Sequence, residues 1–149
     1  MNHESAPQPG ALTIADGLAQ LSFLVHGILG RAGAEHDLSI IQIRLLGILR
    51  DREPSMLQLA RFLNLDKSSI TGLVDRAERR GLVERVADAQ DRRGFRVRLT
   101  DAGRQLVRSA GGEIERGLMA AVQGLDEAER AQLAAIAGKI IAQATAARE

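Results

Sequence analysis

The sequence predicts a mainly α-helical chain carrying one short β-hairpin, and three observations predict it. Apolar residues recur at helical spacing through six segments. Between Leu82 and Leu99 the period falls to two, as expected of paired strands. Capping residues and glycines punctuate the segments at the places where helices start and stop. At 149 residues the chain has room for one domain with helical extensions. Its 45% hydrophobic and 26% charged shares are ordinary for a folded domain.

The opening MNHESAPQPG has neither a basic head nor an apolar stretch, so it reads as a frayed tail and no signal peptide. Residues 1–11 are assigned to that disordered tail. The first helix runs from about Leu12 to Ala32, with Leu18, Leu21, Val25, Ile28 and Leu29 in phase and Gly33 ending it. Ser39 with Gln42 forms a capping box for the second helix. That helix is apolar nearly all round (Ile40, Ile43, Leu45, Leu46, Ile48, Leu49), so it should be the most buried. Ser55 with Gln58 is another capping box, opening a helix of about two turns to Phe62. After Asn64 and Leu65, Asp66 caps a helix reaching about Arg80, and Gly81 stops it. Two helices with so short a joint have the proportions of a helix-turn-helix.

Leu82, Val83 and Val86 begin a strand, and Phe95, Val97 and Leu99 alternate with Arg96 and Arg98 in its partner. The polar loop from Ala87 to Gly94 is too long for a two-residue turn. A helix-turn-helix followed by a basic-tipped hairpin is the winged-helix arrangement. Thr100 caps a helix to about Val122, and Asp126 with Glu129 caps the last, to about Ala146. Apolar stripes on these two helices (Leu106, Val107, Ile114, Leu118, Val122; Leu125, Leu133, Ile136, Ile140, Ile141) exceed what the winged core at 39–100 can cover. The expected division is a winged lobe at 39–100 flanked by dimerisation helices at 12–33 and 101–147, all within one domain at 12–149. Two-fold pairing of the chain ends would bury the stripes, and packing on their own domain is the alternative.

Composition narrows the chemistry. With no cysteine there is no disulfide, thiol nucleophile or thiolate metal site. There is no Trp or Tyr and only three Phe, so platforms for stacking single-stranded bases are nearly absent. The three histidines (His3, His26, His36) are scattered without metal-ligand spacing. No catalytic constellation, metal site or cofactor is expected. No apolar run is long enough to span a bilayer, so the expected setting is cytoplasmic, with no membrane partner.

Net charge is only +1, but it is unevenly spread. Ser55–Thr100 holds ten Lys and Arg against six acids, a surplus of four, which leaves the rest of the chain at minus three. A basic middle between acidic ends points to a face that meets a polyanion, with a plain solvated face as the alternative. Eighteen of the twenty basic residues are arginine, suited to bidentate phosphate and guanine contacts. On the second helix of the pair, Ile70, Leu73, Val74 and Ala77 share one face. Ser68, Ser69, Thr71 and Arg76 are left outward, able to lie in a major groove. Lys67, at the helix start, is a phosphate candidate. Mid-helix Gly72 costs about 1 kcal/mol against alanine, so it calls for close approach to a DNA backbone or to another helix. Asp75 would repel phosphate and is read as a partner that orients an arginine. Arg92 and Arg93 at the hairpin tip suit a narrow minor groove, and Arg96 and Arg98 face outward toward phosphate or solvent.

At the hairpin the sequence becomes recognisable. Asp91-Arg92-Arg93-Gly94-Phe95-Arg96-Val97-Arg98-Leu99-Thr100 fits D-x-R-x-x-x-V-x-L-T and resembles the signature of the multiple antibiotic resistance regulator (MarR) family. Leu57-x-Leu59-Ala60, Ser68-Ser69-x-Thr71-x-x-Val74-Asp75-Arg76 and Arg80-Gly81-Leu82-Val83-Glu84-Arg85 are similar to that family's core helices and first wing strand. Ala77 departs from the larger aliphatic residue many relatives carry, which touches packing more than function. The resemblance implies a homodimer that binds pseudo-palindromic double-stranded DNA, most often as a repressor, relieved in many relatives by a small-molecule effector. It implies that Arg93 reaches the minor groove while Asp91 braces the wing. Ligands in the family bind between dimer helices and winged lobe, where Phe23, His26 and His36 are the candidates here. For each of these the alternative is structural: core packing for Phe23, hydrogen bonding for the histidines. A winged-helix module for an acidic protein partner, and an enzyme, are the competing function classes. The hydroxyl-bearing helix and the size of the wing favour DNA over an acidic partner, and an enzyme would need a convergent acid/base or nucleophile constellation that the sequence does not offer.

Overall fold

The structure, a computed structural model, describes residues 10–147. The elements follow in the order α1 (Ile14–Ala34), α2 (Ile40–Leu49), α3 (Met56–Leu63), α4 (Lys67–Arg79), β1 (Val83–Ala87), β2 (Phe95–Leu99), α5 (Asp101–Ala121) and α6 (Glu127–Ala146). Residues up to Ile114 form one compact unit and those from Glu115 a second, so α5 contributes to both. Most of the expected tail, residues 1–9, lies outside the described residues, and so does His3.

In the first unit, local chemistry sets the helix ends. Ser39 with Gln42 and Ser55 with Gln58 complete reciprocal capping boxes at α2 and α3. Asp66 accepts the Ser69 amide hydrogen at the start of α4. Asn64 closes α3 at φ 53° and Gly81 follows α4 at φ 70°, left-handed positions that these two residue types tolerate. Gly33 departs from expectation. It does not end α1, which continues through Ala34. A Cβ there would stand 2.5 Å from the Leu38 carbonyl oxygen and 2.7 Å from Ile43 Cδ1, so the glycine is needed for close approach. The left-handed turn falls instead to Asp37, at φ 53°.

One core joins α2, α3, α4 and the hairpin. Leu45, Leu59, Ile70, Leu73, Val74, Val83 and Val97 are fully enclosed. The second helix is less covered than its composition suggests, because Arg44 and Gly47 carry one side of it to solvent. The hairpin pairs Val83 with Leu99, Arg85 with Val97 and Ala87 with Phe95. Directly opposed residues share a face, so Arg85 leaves the sheet on the side of buried Val83 and Val97. Val86 lies on the other face, with Arg96. The Val97 amide also donates to the Pro54 carbonyl at 2.9 Å, which fixes the start of α3 against the hairpin.

The first unit leaves an apolar face of α1 open, with Ile14 85% and Phe23 74% exposed alongside Leu18, Leu21 and Leu24. Phe23 is therefore not a core residue within one chain, because no element of its unit covers that side of α1. In the second unit Asp126 and Glu129 form the capping box of α6. That helix buries none of its residues, and Leu133, Ile136, Ile140 and Ile141 are all exposed. No helix among the described residues is long and apolar enough to cross a membrane.

Candidate nucleic-acid interface

A concavity of about 950 Å³ lies between α3, α4 and the hairpin. Met56, Leu57, Ala60, Leu65, Ile70 and Phe95 supply its apolar wall. Arg61, Lys67, Arg85 and Arg93 stand around it, against the two acids Asp88 and Asp91. Phe95 is half exposed although it shares the face of buried Val97 and Leu99, because it sits at the open end of the sheet. Among the expected contact residues the structure brings Lys67, Thr71, Asp91 and Arg93 to this concavity. Ser68, Ser69 and Arg76 are exposed on α4 outside it, as are Arg92 and Arg96 on the hairpin.

The start of α4 is tightly organised. Asp66 accepts the Ser69 amide at 2.7 Å and the Ser68 hydroxyl at 3.0 Å. These bonds, the Ser69 amide foremost, hold its carboxyl below the usual aspartate range. The Thr71 hydroxyl donates to the Lys67 carbonyl at 2.8 Å, which leaves its oxygen able to accept further bonds. At Gly72 the nearest atom to an added Cβ is Arg76 Nη1 at 3.3 Å, and among the described residues no second helix comes within 4 Å of it. Of the two reasons offered for this glycine, helix packing is thereby removed. The bare backbone gives the Arg76 guanidinium room to lie along the helix.

The hairpin tip is folded on its own acids. Asp91 Oδ1 accepts the Arg93 amide at 3.0 Å, and the Asp91 carbonyl accepts the Gly94 amide at 3.0 Å. A Cβ at Gly94 would meet the Asp91 carboxylate at 3.1 Å, so the turn closes more easily around a glycine. No carboxylate lies within ion-pair distance of Lys67, Arg76, Arg92 or Arg93 among the described residues. Arg98 is held by Glu84 at 2.6 Å across the strands, and the bond and charge of that acid raise its already high pKa. Arg96 lies 3.8 Å from Asp88.

Comparison with known proteins agrees with this geometry. A family model described as the MarR family matches residues 36–94, a span from the α1–α2 corner to the hairpin tip. The HTH-type transcriptional regulator PecS of Dickeya dadantii (strain 3937) is 27% identical over 129 residues, covering 83% of this chain and 76% of that protein. Over residues 36–94 the chain is similar to the MarR family. A crystal structure of MarR superposes with a TM-score of 0.79 at 22% identity, covering 96% of this chain and 98% of that one. The S. aureus MepR–DNA complex gives a TM-score of 0.74 at 23% identity, covering 89% and 99%. These two likenesses establish the fold of this chain.

The three candidate ligand residues are placed apart. Phe23 and His26 lie one turn apart on α1, both exposed, with His26 Nδ1 3.1 Å from the Ser22 carbonyl. His36 lies beyond the helix, with Nε2 3.0 Å from Glu113 Oε1. Its carbonyl and that of Asp37 accept the Arg80 guanidinium at 2.9 and 2.7 Å, so the corner is clamped from the end of α4. None of the three lines the concavity beside α4. Sequence reasoning missed Arg61 and Arg85 as site residues. Their signal was present only in part: Arg85 is a charged residue in a strand, but its inward direction depends on register.

Proposed function

We propose that this chain is a homodimeric transcriptional regulator of the MarR family that binds double-stranded DNA and is no enzyme. The observation that carries the reading is the joint placement of α4 and the hairpin tip. Lys67, Thr71 and Arg93 face one concavity, with Arg76 and Arg92 beside it and no acid of the described chain engaging the four cations. A helix of 13 residues is about 20 Å long and lies readily in a major groove about 12 Å wide. Ser68, Ser69, Thr71 and Arg76 meet base edges and phosphates there, and Lys67 meets phosphate. Gly72 lets backbone and groove approach closely. Arg92 and Arg93 enter the adjoining minor groove, with Asp91 bracing the turn that presents them and Arg96 touching phosphate behind it.

Dimerisation rests on the open apolar faces of α1 and α6, which a second copy covers. Two recognition helices related by a two-fold axis then read a pseudo-palindromic site. Occupancy of that site excludes polymerase, which makes repression the simplest outcome. A small effector acts by changing the separation of the two recognition helices. Phe23 and His26 lie on the open face of α1 and His36 at the clamped corner, so an effector that reaches them does so beside the dimer contact.

The test is binding to duplexes selected from the chain's own upstream intergenic DNA, against a scrambled duplex, over a salt series. One dimer per specific site, with affinity falling steeply as salt rises, is the expected result. Equal weak binding to both, repeated after selection from random duplexes, would overturn the reading in favour of an acidic protein partner.

A further inference from the structure

The hairpin carries one charged residue on its inward face, and the contacts proposed above leave it unused. Arg85 stands opposite Val97 in the register, on the side of the sheet where Val83, Val97 and Leu99 are buried. Only 21% of its side chain is exposed. Its guanidinium crosses to α4, with Nη2 2.5 Å from Asp75 Oδ1 and Nη1 bonded to Glu78 Oε2. Asp75 follows Thr71 by one helical turn and Glu78 by about two, so both acids continue the stripe that begins at Lys67. Both are more than 40% exposed, and a duplex lying along α4 would bring phosphates toward them.

A half-buried ion pair is seldom the cheapest way to stabilise a core position, since apolar residues of similar volume do as well or better. An arginine here, bridging two acids, therefore points to a task other than packing. We propose that Arg85 masks the charges of Asp75 and Glu78 from bound DNA, which makes it a positioning residue for the recognition helix and not a DNA contact. This rests on the reading of α4 as a DNA-binding helix. Without the guanidinium, two carboxylates on that helix face the phosphate backbone. The resulting repulsion is electrostatic and is screened by salt.

The experiment measures affinity of the full chain for a selected duplex, with Arg93→Ala as the control for the interface itself. Arg85→Gln should weaken binding about tenfold near 0.1 M salt, with the deficit shrinking as salt rises. Asp75→Asn and Glu78→Gln added to Arg85→Gln should restore most of the loss. On the native Arg85 background the same two substitutions should leave binding equal or tighter, which keeps the test available if Arg85→Gln does not fold. Arg85→Gln binding like the wild type, while Arg93→Ala binds weakly, overturns the masking proposal and leaves the DNA reading intact. A triple variant as weak as Arg85→Gln also overturns it, since a merely structural or direct-contact arginine would not be rescued by removing the acids. A wild-type chain that selects no duplex overturns both readings together.

Discussion

Gly103→Ala tests how the hairpin is seated on α5. Gly103 lies in the first turn of α5, where an added Cβ would stand 2.0 Å from the Leu82 carbonyl oxygen, 3.0 Å from its carbon and 3.3 Å from Leu99 Cδ2. That carbonyl already accepts the Thr100 amide at 3.0 Å, and the Thr100 hydroxyl caps the same turn by accepting the Gly103 amide at 3.0 Å. A backbone atom cannot swing aside as a flexible side chain does, so helix and strand entry must separate by about 1 Å. Overpacking of this kind costs about 1–3 kcal/mol. A strained Thr100–Leu82 bond adds about 1 kcal/mol. A chain of this size loses roughly 2–4 °C of Tm per kcal/mol, so a total of about 2–4 kcal/mol gives an expected fall of about 4–16 °C. Gly47→Ala is the matched control: Gly47 is exposed in mid-α2, with nothing within 4 Å of its added Cβ. Replacing a helical glycine there should stabilise by about 0.5–1 kcal/mol. Circular-dichroism melts of both variants decide the matter. A Gly103→Ala melt within a degree of the wild type would refute the argument from close approach, and so would shifts of the same sign in both proteins.

Three further outcomes are expected. Arg92→Ala with Arg93→Ala should lose most specific DNA affinity while the melt and the sedimentation coefficient stay unchanged; undiminished binding would remove the hairpin tip from the interface. Ile140→Lys on the open face of α6 should shift the chain from twice 16.0 kDa to one copy in sedimentation equilibrium, and a persistent dimer would exclude that face. The folded pKa of Asp66 lies below its unfolded value, so its cap stabilises α4 fully above the ordinary aspartate range and the contribution fades as pH falls through the lowered folded value. Asp66→Asn keeps a capping oxygen but removes this titration, so its acid melt profile should be flatter than the wild type's.

How much of this is legible in the sequence depends on the range of the interaction. Capping boxes at Ser39, Ser55 and Asp126 use residues three apart, and each forms as its spelling suggests. The alternation from Phe95 to Leu99 likewise announces its own strand. Gly33 and Gly103 escape a reading of this kind because the atoms that exclude a side chain there come from Leu38, Ile43 and Leu82, which only the folded chain brings close. The inward direction of Arg85 follows from a register of pairing, not from its neighbours in the chain. Phe23 reads as core by hydrophobicity, yet a single copy leaves it in solvent because the surface that would cover it is not part of its unit. Charge confines the candidate site to the segment Ser55–Thr100, but charge alone does not say which cations remain available.

That division yields a number to test. Of the ten cations between Ser55 and Thr100, Arg85 and Arg98 are tied to acids and Arg80 to the carbonyls of His36 and Asp37. Arg96 stands near Asp88. Of the other six, Lys67 and Arg76 on α4, with Arg92 and Arg93 at the tip, are those proposed to meet DNA, and no acid among the described residues engages them. If each neutralises one phosphate, a dimer releases about eight counterions, and log affinity should fall against log salt with a slope of about −7. Replacing one of the four in both protomers should flatten the slope by about 2, roughly one for each phosphate left without its cation. Replacing Arg85 should flatten it too, because the repulsion it unmasks is screened as salt rises, but adding Asp75→Asn and Glu78→Gln should restore the wild-type slope, which they would not do for a lost phosphate contact. A wild-type slope near −3 would mean that at most two of these cations per protomer reach the backbone. The proposed placement of α4 and the hairpin tip along the duplex would then be wrong, even if the chain bound DNA.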